Sequence, residues 1–293
     1  MLVCWAFVAL QAAAPGPLGA ALERLSEEAE LFLTAARRTI GTETLEQRAL
    51  EPPSRFRPRV GAAATQPPAP KWRTRRIVSE YAFSSFSSSP DAIHEFRKVR
   101  SVDGREVTRP EKARAVLARG VVSDDDRVRH QMLRDFEKHG LVGAASDFGQ
   151  LLLLFRRSRL REYRFSAAGR ERVGAEDAVR VAFTQLGGDH AVTIYEEGRA
   201  TRRPVEGFVW LRAADLLPLR IRLVVERAED NGRFRDEGTV EYTQTPGGAL
   251  LPASVVHRQW LEAALVVENR YTYSGFRRFT ADSEIKFEEE KRP

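Results

Sequence analysis

Residues 219–226 read LRIRLVVE. Leu219, Ile221, Leu223 and Val225 stand on one parity, with Arg220, Arg222 and Glu226 on the other. A two-residue period of this kind is the signature of a half-buried β-strand, because successive side chains leave a strand on opposite faces. The same period recurs on both sides of the stretch. Upstream it runs through Tyr163 and Phe165, through Val179, Val181 and Phe183, through Val192 and Ile194, and through Phe208 and Trp210. Downstream it runs through Val240 and Tyr242, Val255 and His257, and Leu265, Val267, Tyr271 and Tyr273. Gly187-Gly188, Asn231-Gly232 and Gly247-Gly248 punctuate the series as turns. Strands this closely spaced pair antiparallel, since parallel pairing needs longer crossovers.

The last of these strands runs into NRYTYSGFRRFT, residues 269–280, with three arginines and four aromatics. Read as composition, it is a basic-aromatic surface for nucleic acid. Read at a period of two, Leu265, Val267, Asn269, Tyr271 and Tyr273 share one face, and Val266, Glu268, Arg270, Thr272 and Ser274 share the other. A single-strand nucleic-acid platform needs exposed aromatics beside cations on one face, so the segregation points to a core-lining strand. Gly275 breaks the alternation as a bulge would and returns Phe276 to the apolar side.

The N-terminal third has a different pattern. Leu22, Leu25, Ala29, Phe32 and Ala36 recur at helical spacing with Leu33 beside them, which predicts an amphipathic helix in the segment 21–50. Residues 51–72 hold six prolines and read as a linker. The sheet domain is expected over residues 73–287, followed by a disordered tail at 288–293. Ile77, Tyr81 and Phe83 open the sheet, and Asp103-Gly104 supplies a hairpin turn after His94 to Val102. A helical insert is expected over 110–155. Pro110 and Gly120 bracket one helix, and Val128, Met132 and Phe136 form the stripe of a second. Residues 147–155 make a third short helix or a buried connector.

The first fourteen residues, MLVCWAFVALQAAA, are uncharged and apolar and end at Pro15-Gly16-Pro17. The length suits the hydrophobic core of a signal peptide over residues 1–20 and is too short to span a bilayer. A periplasmic or secreted location is therefore expected, although the segment lacks the usual leading Lys or Arg. A buried or amphipathic N-terminal segment is the alternative. Cys4, the only cysteine, lies inside the segment, so a disulfide framework and cysteine-based zinc sites are excluded from the mature chain. The longest later apolar run, Leu151 to Phe155, is far short of a membrane span.

At 293 residues, 42% hydrophobic and 30% charged, the chain can bury a substantial core. Its net charge is +6, with 41 arginines and six lysines scattered among 41 acids. Dispersed charge suits a solvated surface better than a dedicated nucleic-acid footprint, so no nucleic-acid partner is expected. Asp147-Phe148-Gly149 spells the kinase metal-binding tripeptide, but no glycine-rich phosphate loop or catalytic-loop motif accompanies it, and Asp147 reads as a helix cap. Asp124-Asp125-Asp126 after Ser123 reads as a helix N-terminus. The histidines, His94, His130, His139, His190 and His257, show no metal-ligand spacing and read as surface or boundary residues. No GxSxG elbow is present. The expectation is no catalytic residue, no metal and no cofactor.

Four stretches carry a resemblance: RRIVSEYAF, HEFRKVRSVDGREV, GFVWLRAADLLPLRIRL, and VEYTQTPGGALLPASVVHRQW continuing to ENRYTYSGFRRF. Over about residues 75–285 the chain resembles a group of uncharacterised secreted bacterial proteins, and its strand order is similar to that of the LolA/LolB-like lipoprotein carriers. The resemblance implies an α+β fold: a long curved antiparallel sheet, an open half-barrel, with helices packed on its concave side and an N-terminal helix besides. It further implies an apolar concavity that receives a lipid or a lipoprotein acyl chain. Phe208, Trp210, Ile221, Leu223, Tyr271 and Tyr273 would line that cavity, with Val128, Met132 and Phe136 on the lid. The alternatives are an envelope interaction or structural module with a packed core, then a basic nucleic-acid binder, then an unrecognised hydrolase. An open apolar pocket of several hundred Å³ would favour the ligand, and a filled interior would count against it.

Overall fold

The computed structural model describes residues 16–37, 39–51, 70–86, 89–122, 126–143, 145–187, 192–196, 198–229 and 232–278. Most of the expected leader, linker and tail lies outside these residues, as do His190, Ser123, Asp124 and Asp125. Helix α1 (Pro17–Ala36) begins inside the expected leader segment, so residues 17–20 belong to the folded body.

β1 (Thr39–Leu50), β2 (Trp72–Phe86), β3 (Ser89–Val102) and β4 (Arg105–Glu106) come next, followed by α2 (Pro110–Val122) and α3 (Asp126–Lys138). After β5 (Ala145–Ser146) and the 3-10 turns Phe148–Phe155 and Leu160–Glu162 come β6 (Tyr163–Val173), β7 (Glu176–Gln185), β8 (Val192–Glu196), β9 (Arg199–Arg203) and β10 (Glu206–Arg212). β11 (Pro218–Glu229), β12 (Gly232–Gln244), β13 (Leu250–Leu261) and β14 (Ala264–Arg278) complete the order. Among the described residues eleven strands form one open antiparallel sheet, in the order β4-β3-β2-β1-β14-β13-β12-β11-β10-β7-β6, and β5-β8-β9 form a small second sheet. Among the described residues no helix is long and apolar enough to cross a membrane.

The N-terminal reading needs correction. Residues 39–50 are an interior strand of the sheet, hydrogen-bonded to β2 on one side and β14 on the other. The helical segment therefore ends near Ala36. β1 hid from the hydropathy pattern because its buried positions include Glu43 and Gln47 alongside Gly41, Leu45 and Ala49. Periodicity detects strands by apolar alternation, and a strand that turns charges inward does not show it.

Turn chemistry behaves as expected. Asp103 and Gly104 have φ of 49° and 80°, the two positive values that a two-residue type I′ hairpin requires. Gly275, at φ 62°, sits where the β1–β14 register slips between Ile40 and Thr42. The bulge swings Phe276 inward to stack on Tyr273, with ring centroids 6.2 Å apart. Gly41 leaves the room, because a Cβ there would lie 2.7 Å from the Phe276 ring.

The core lies on one face of the sheet, the inner face, under α1 and Phe148–Phe155. Leu25, Ala29, Phe32 and Ala36 of α1 are all 0% exposed. Phe32 packs edge-on against Phe83 at 5.5 Å and Tyr242 at 6.5 Å, which ties the helix to β2 and β12. Each such Leu or Phe contributes about 1.5–3 kcal/mol through burial. α2 lies on the opposite, outer face of β2 and β3: its Leu117 packs with Ala82 and Phe96, and its Arg114 pairs with Glu80. α3 crosses the β3 edge. Asp135 meets Lys98 on the outer side at 2.6 Å, while Phe136 reaches Arg97 on the inner side.

Candidate functional site

The strand register decides where the expected cavity residues go. Ile221 and Leu223 face inward, each 0% exposed, in the same core cluster as Tyr271 and Phe136, and Tyr273 packs against that cluster. Phe208 and Trp210 do not share this face. They pair across from Arg222 and Arg220, so they lie on the outer face, while Val209 and Leu211 take the inner positions. Both parities of GFVWLR are apolar, so alternation alone could not choose between them. Phe208 stacks under Arg180 at 4.9 Å, and the Trp210 indole donates to Glu171 at 3.0 Å. Met132 and Val128 belong to the smaller outer cluster with Ala82, Phe96 and Leu117. The nine residues are thus split between two faces.

The inner face holds an ionic group that the sequence reading missed. Arg97 of β3 is 5% exposed, and its Nε donates to both carboxylate oxygens of Glu43 at 2.9 and 3.0 Å. Its Nη2 donates to Glu95 two residues away on the same strand. The guanidinium lies over Tyr81 at 5.3 Å and over Tyr271 and Phe136 at 5.9 Å each. Two of the expected cavity residues therefore contact Arg97. Glu95 Oε1 also accepts the Gly149 N–H at 2.6 Å.

Two carboxylates on one buried cation cannot both stay charged at low cost. Burial, only partly offset by Arg97, pushes Glu95 up to about 7. Burial would lower Arg97, but Glu43 and Glu95 outweigh it and hold the guanidinium firmly protonated. Burial likewise raises Tyr81 and Tyr273 well above the usual phenol range.

Asp147-Phe148-Gly149 finds its explanation here. Asp147 makes no side-chain cap hydrogen bond. Its carboxylate instead accepts from Arg129 at 2.9 Å and from the Glu95 backbone N–H at 3.3 Å, with His94 at 3.6 Å. Burial would raise Asp147, but Arg129 and then His94 outweigh it and hold the carboxyl below its ordinary value. Phe148 packs on the His257 ring at 5.3 Å. Gly149 must lack a side chain, because a Cβ would lie 2.7 Å from Glu95 Oε1 and 2.8 Å from the Tyr81 hydroxyl.

His257 also departs from the surface reading. It is 0% exposed, and its Nε2 lies 2.9 Å from Asp236 Oδ1, which also accepts from Gln259 at 3.2 Å. Arg227 pairs with the other Asp236 oxygen. This His–Asp pair has the chemistry of a general base, but with both partners 0% exposed it is walled off from any substrate. Among the described residues no group of three His, Cys, Asp or Glu side chains is placed to hold a metal.

The outer face carries arginine–glutamate pairs: Arg220–Glu241 in the open, Arg222 over a buried Glu237, and a buried Glu268 shared between Arg258 and Arg270. Arginine also stacks on the tryptophans, Arg235 over Trp260 at 5.3 Å and Arg48 over Trp72 at 4.6 Å.

No family model and no curated protein matches the chain. Among solved structures it is similar to a DUF1329 family protein from Desulfovibrio piger, at 11% identity over 91% of this chain and 95% of that one, with a TM-score of 0.38. It is similar to a LolA superfamily protein from Nitrosomonas europaea, at 10% identity over 90% and 96%, with a TM-score of 0.32. An outer membrane lipoprotein-sorting protein domain from Vibrio parahaemolyticus stands at 11% identity over 92% and 96%, with a TM-score of 0.32. Identities and scores at this level carry no statement about what the chain binds.

Proposed function

We propose that the chain is a non-enzymatic, exported interaction module that works through its surface over a packed interior. The observation that carries this reading is the burial of four of the expected lining residues on the inner face, where Tyr273 is partly buried. Ile221 and Leu223 are 0% exposed, Phe136 1% and Tyr271 4%. A cavity able to take an acyl chain would leave its lining accessible to a water-sized probe even when shut off from bulk solvent. Here Arg97 and its carboxylates stand against Tyr271 and Phe136 instead. The apolar segment at residues 1–14 supports export, and the burial of His257 and Asp236 supports a role without catalysis. An acyl-chain carrier would require α1 and Phe148–Phe155 to lift away from the sheet, exposing a continuous apolar core to water at the cost of its burial energy.

Native mass spectrometry on protein exported by a bacterial host tests the reading. The expected spectrum is that of the bare chain. One equivalent of co-purified lipid, lost on substitution of Leu223 by a polar residue in a chain that still folds, would overturn it in favour of the carrier.

A further inference from the structure

We propose that the outer face carries a binding site for a phosphate or phosphodiester anion, in the groove over β2, β1 and β14. The groove has a volume of about 380 Å³, and four arginines, Arg48, Arg75, Arg76 and Arg270, line it against three acids, Glu46, Glu268 and Asp103. The charges do not cancel locally. Glu268 is shared by two arginines, accepting from Arg258 at 2.7 Å and from Arg270 at 3.0 Å. Burial would raise Glu268, but these two hydrogen bonds outweigh it and hold the carboxyl ionised. Asp103 is likewise engaged, by the Arg76 backbone N–H at 2.8 Å and by Arg75 at 2.6 Å. Glu46 alone faces Arg76, at 3.9 Å, with both side chains more than half exposed.

Arg48 has no carboxylate partner among the described residues. Its guanidinium lies over the Trp72 ring, 4.6 Å from the centroid. Stacking fixes the plane of a guanidinium and leaves the N–H groups on its rim free to donate. Three arginines around one loosely held glutamate make an anion site, and guanidinium forks donate paired N–H groups to the oxygens of a phosphate or phosphodiester. The groove accommodates a headgroup rather than an acyl chain. The proposal goes beyond the surface-module reading and stands independently of it, since neither the Arg97 cluster nor the apolar core takes part.

Calorimetric titration with inorganic phosphate and with glycerol 3-phosphate tests the site. Flotation with phosphatidylcholine vesicles, with and without phosphatidylglycerol, separates the two sources of the anion. The expected result is saturable binding of glycerol 3-phosphate, weakened by about tenfold or more in Arg48→Gln and in Arg270→Gln. Arg220→Gln, on the same face outside the groove, retains wild-type affinity. Flotation only with phosphatidylglycerol, lost in the same two variants, places the phosphate on a lipid. Binding of the soluble ester without flotation places it on a free phosphate ester. No binding of either probe, or equal weakening in Arg220→Gln, overturns the proposal, because diffuse positive charge would then explain everything.

Discussion

The two faces of the sheet use the same pair of side chains to opposite ends. On the inner face Glu43, Arg97 and Glu95 are held at 5% exposure or less, with aromatic rings around the guanidinium. On the outer face Arg220 and Glu241 make the same kind of contact with side chains 26% and 46% exposed. Burial decides what the contact is worth. In water, a pair gains little beyond what solvation already supplied. Out of water, each partner becomes indispensable to the other, and protonation responds to the imbalance of charge.

The sharpest way to break this comparison is Arg97→Met. Two carboxylates would remain in the core without their cation, and urea denaturation should show a loss of about 3–5 kcal/mol. A loss near that of an exposed pair would mean that water reaches the cluster.

The second effect is a pH dependence. Burial pushes the Glu95 carboxyl up to about 7 in the folded chain, against 4.5 for an ordinary glutamate. The folded state therefore holds a proton that the unfolded state has released between these values. Its contribution is fully present below 4.5, declines as the pH rises to 7, and is absent above. The span corresponds to a contribution on the order of 3 kcal/mol. Asp147 works the other way, because its folded value is depressed: its contribution is present above the ordinary aspartate range and is lost on acidification. Denaturation midpoints measured across the pH range should thus fall toward alkaline pH in the wild type. Glu95→Gln should flatten that decline, and an unchanged decline would assign it to another group.

A smaller effect is expected from Gly149→Ala. The added methyl meets Glu95 Oε1 and the Tyr81 hydroxyl, and about 1–3 kcal/mol should be lost. The smallest is Glu241→Gln on the outer face, which should change stability by about 1 kcal/mol or less. If it matched Gly149→Ala, the outer ladder would be a structural element rather than a solvated surface.

Much of the fold was legible because its strands alternate plainly. LRIRLVVE has one apolar parity, and β11 puts that parity in the core. The inward turn of Tyr271 and Tyr273 and the bulge at Gly275 were readable for the same reason. Where both parities are apolar, as at Phe208 to Leu211, only the pairing with β11 chose a face. Where the inward parity is polar, as in β1, the strand itself went unseen. The buried ionic cluster was illegible for a related reason. Glu43, Glu95 and Arg97 are ordinary surface residue types, and Glu43 lies far in sequence from the two it meets.

Local sequence by itself determined the strands with one apolar side, the hairpin at Asp103-Gly104, the helical insert and the amphipathic α1, since each depends on neighbours a few residues away. Tertiary structure alone decided that β1 would join the two halves of the sheet between β2 and β14. It alone turned Glu43 toward Arg97 and set Arg48 on the outer face over Trp72. These outcomes depend on contacts between residues far apart in the chain, and burial, which sets the energy of every charge in this protein, is a property of the assembled fold.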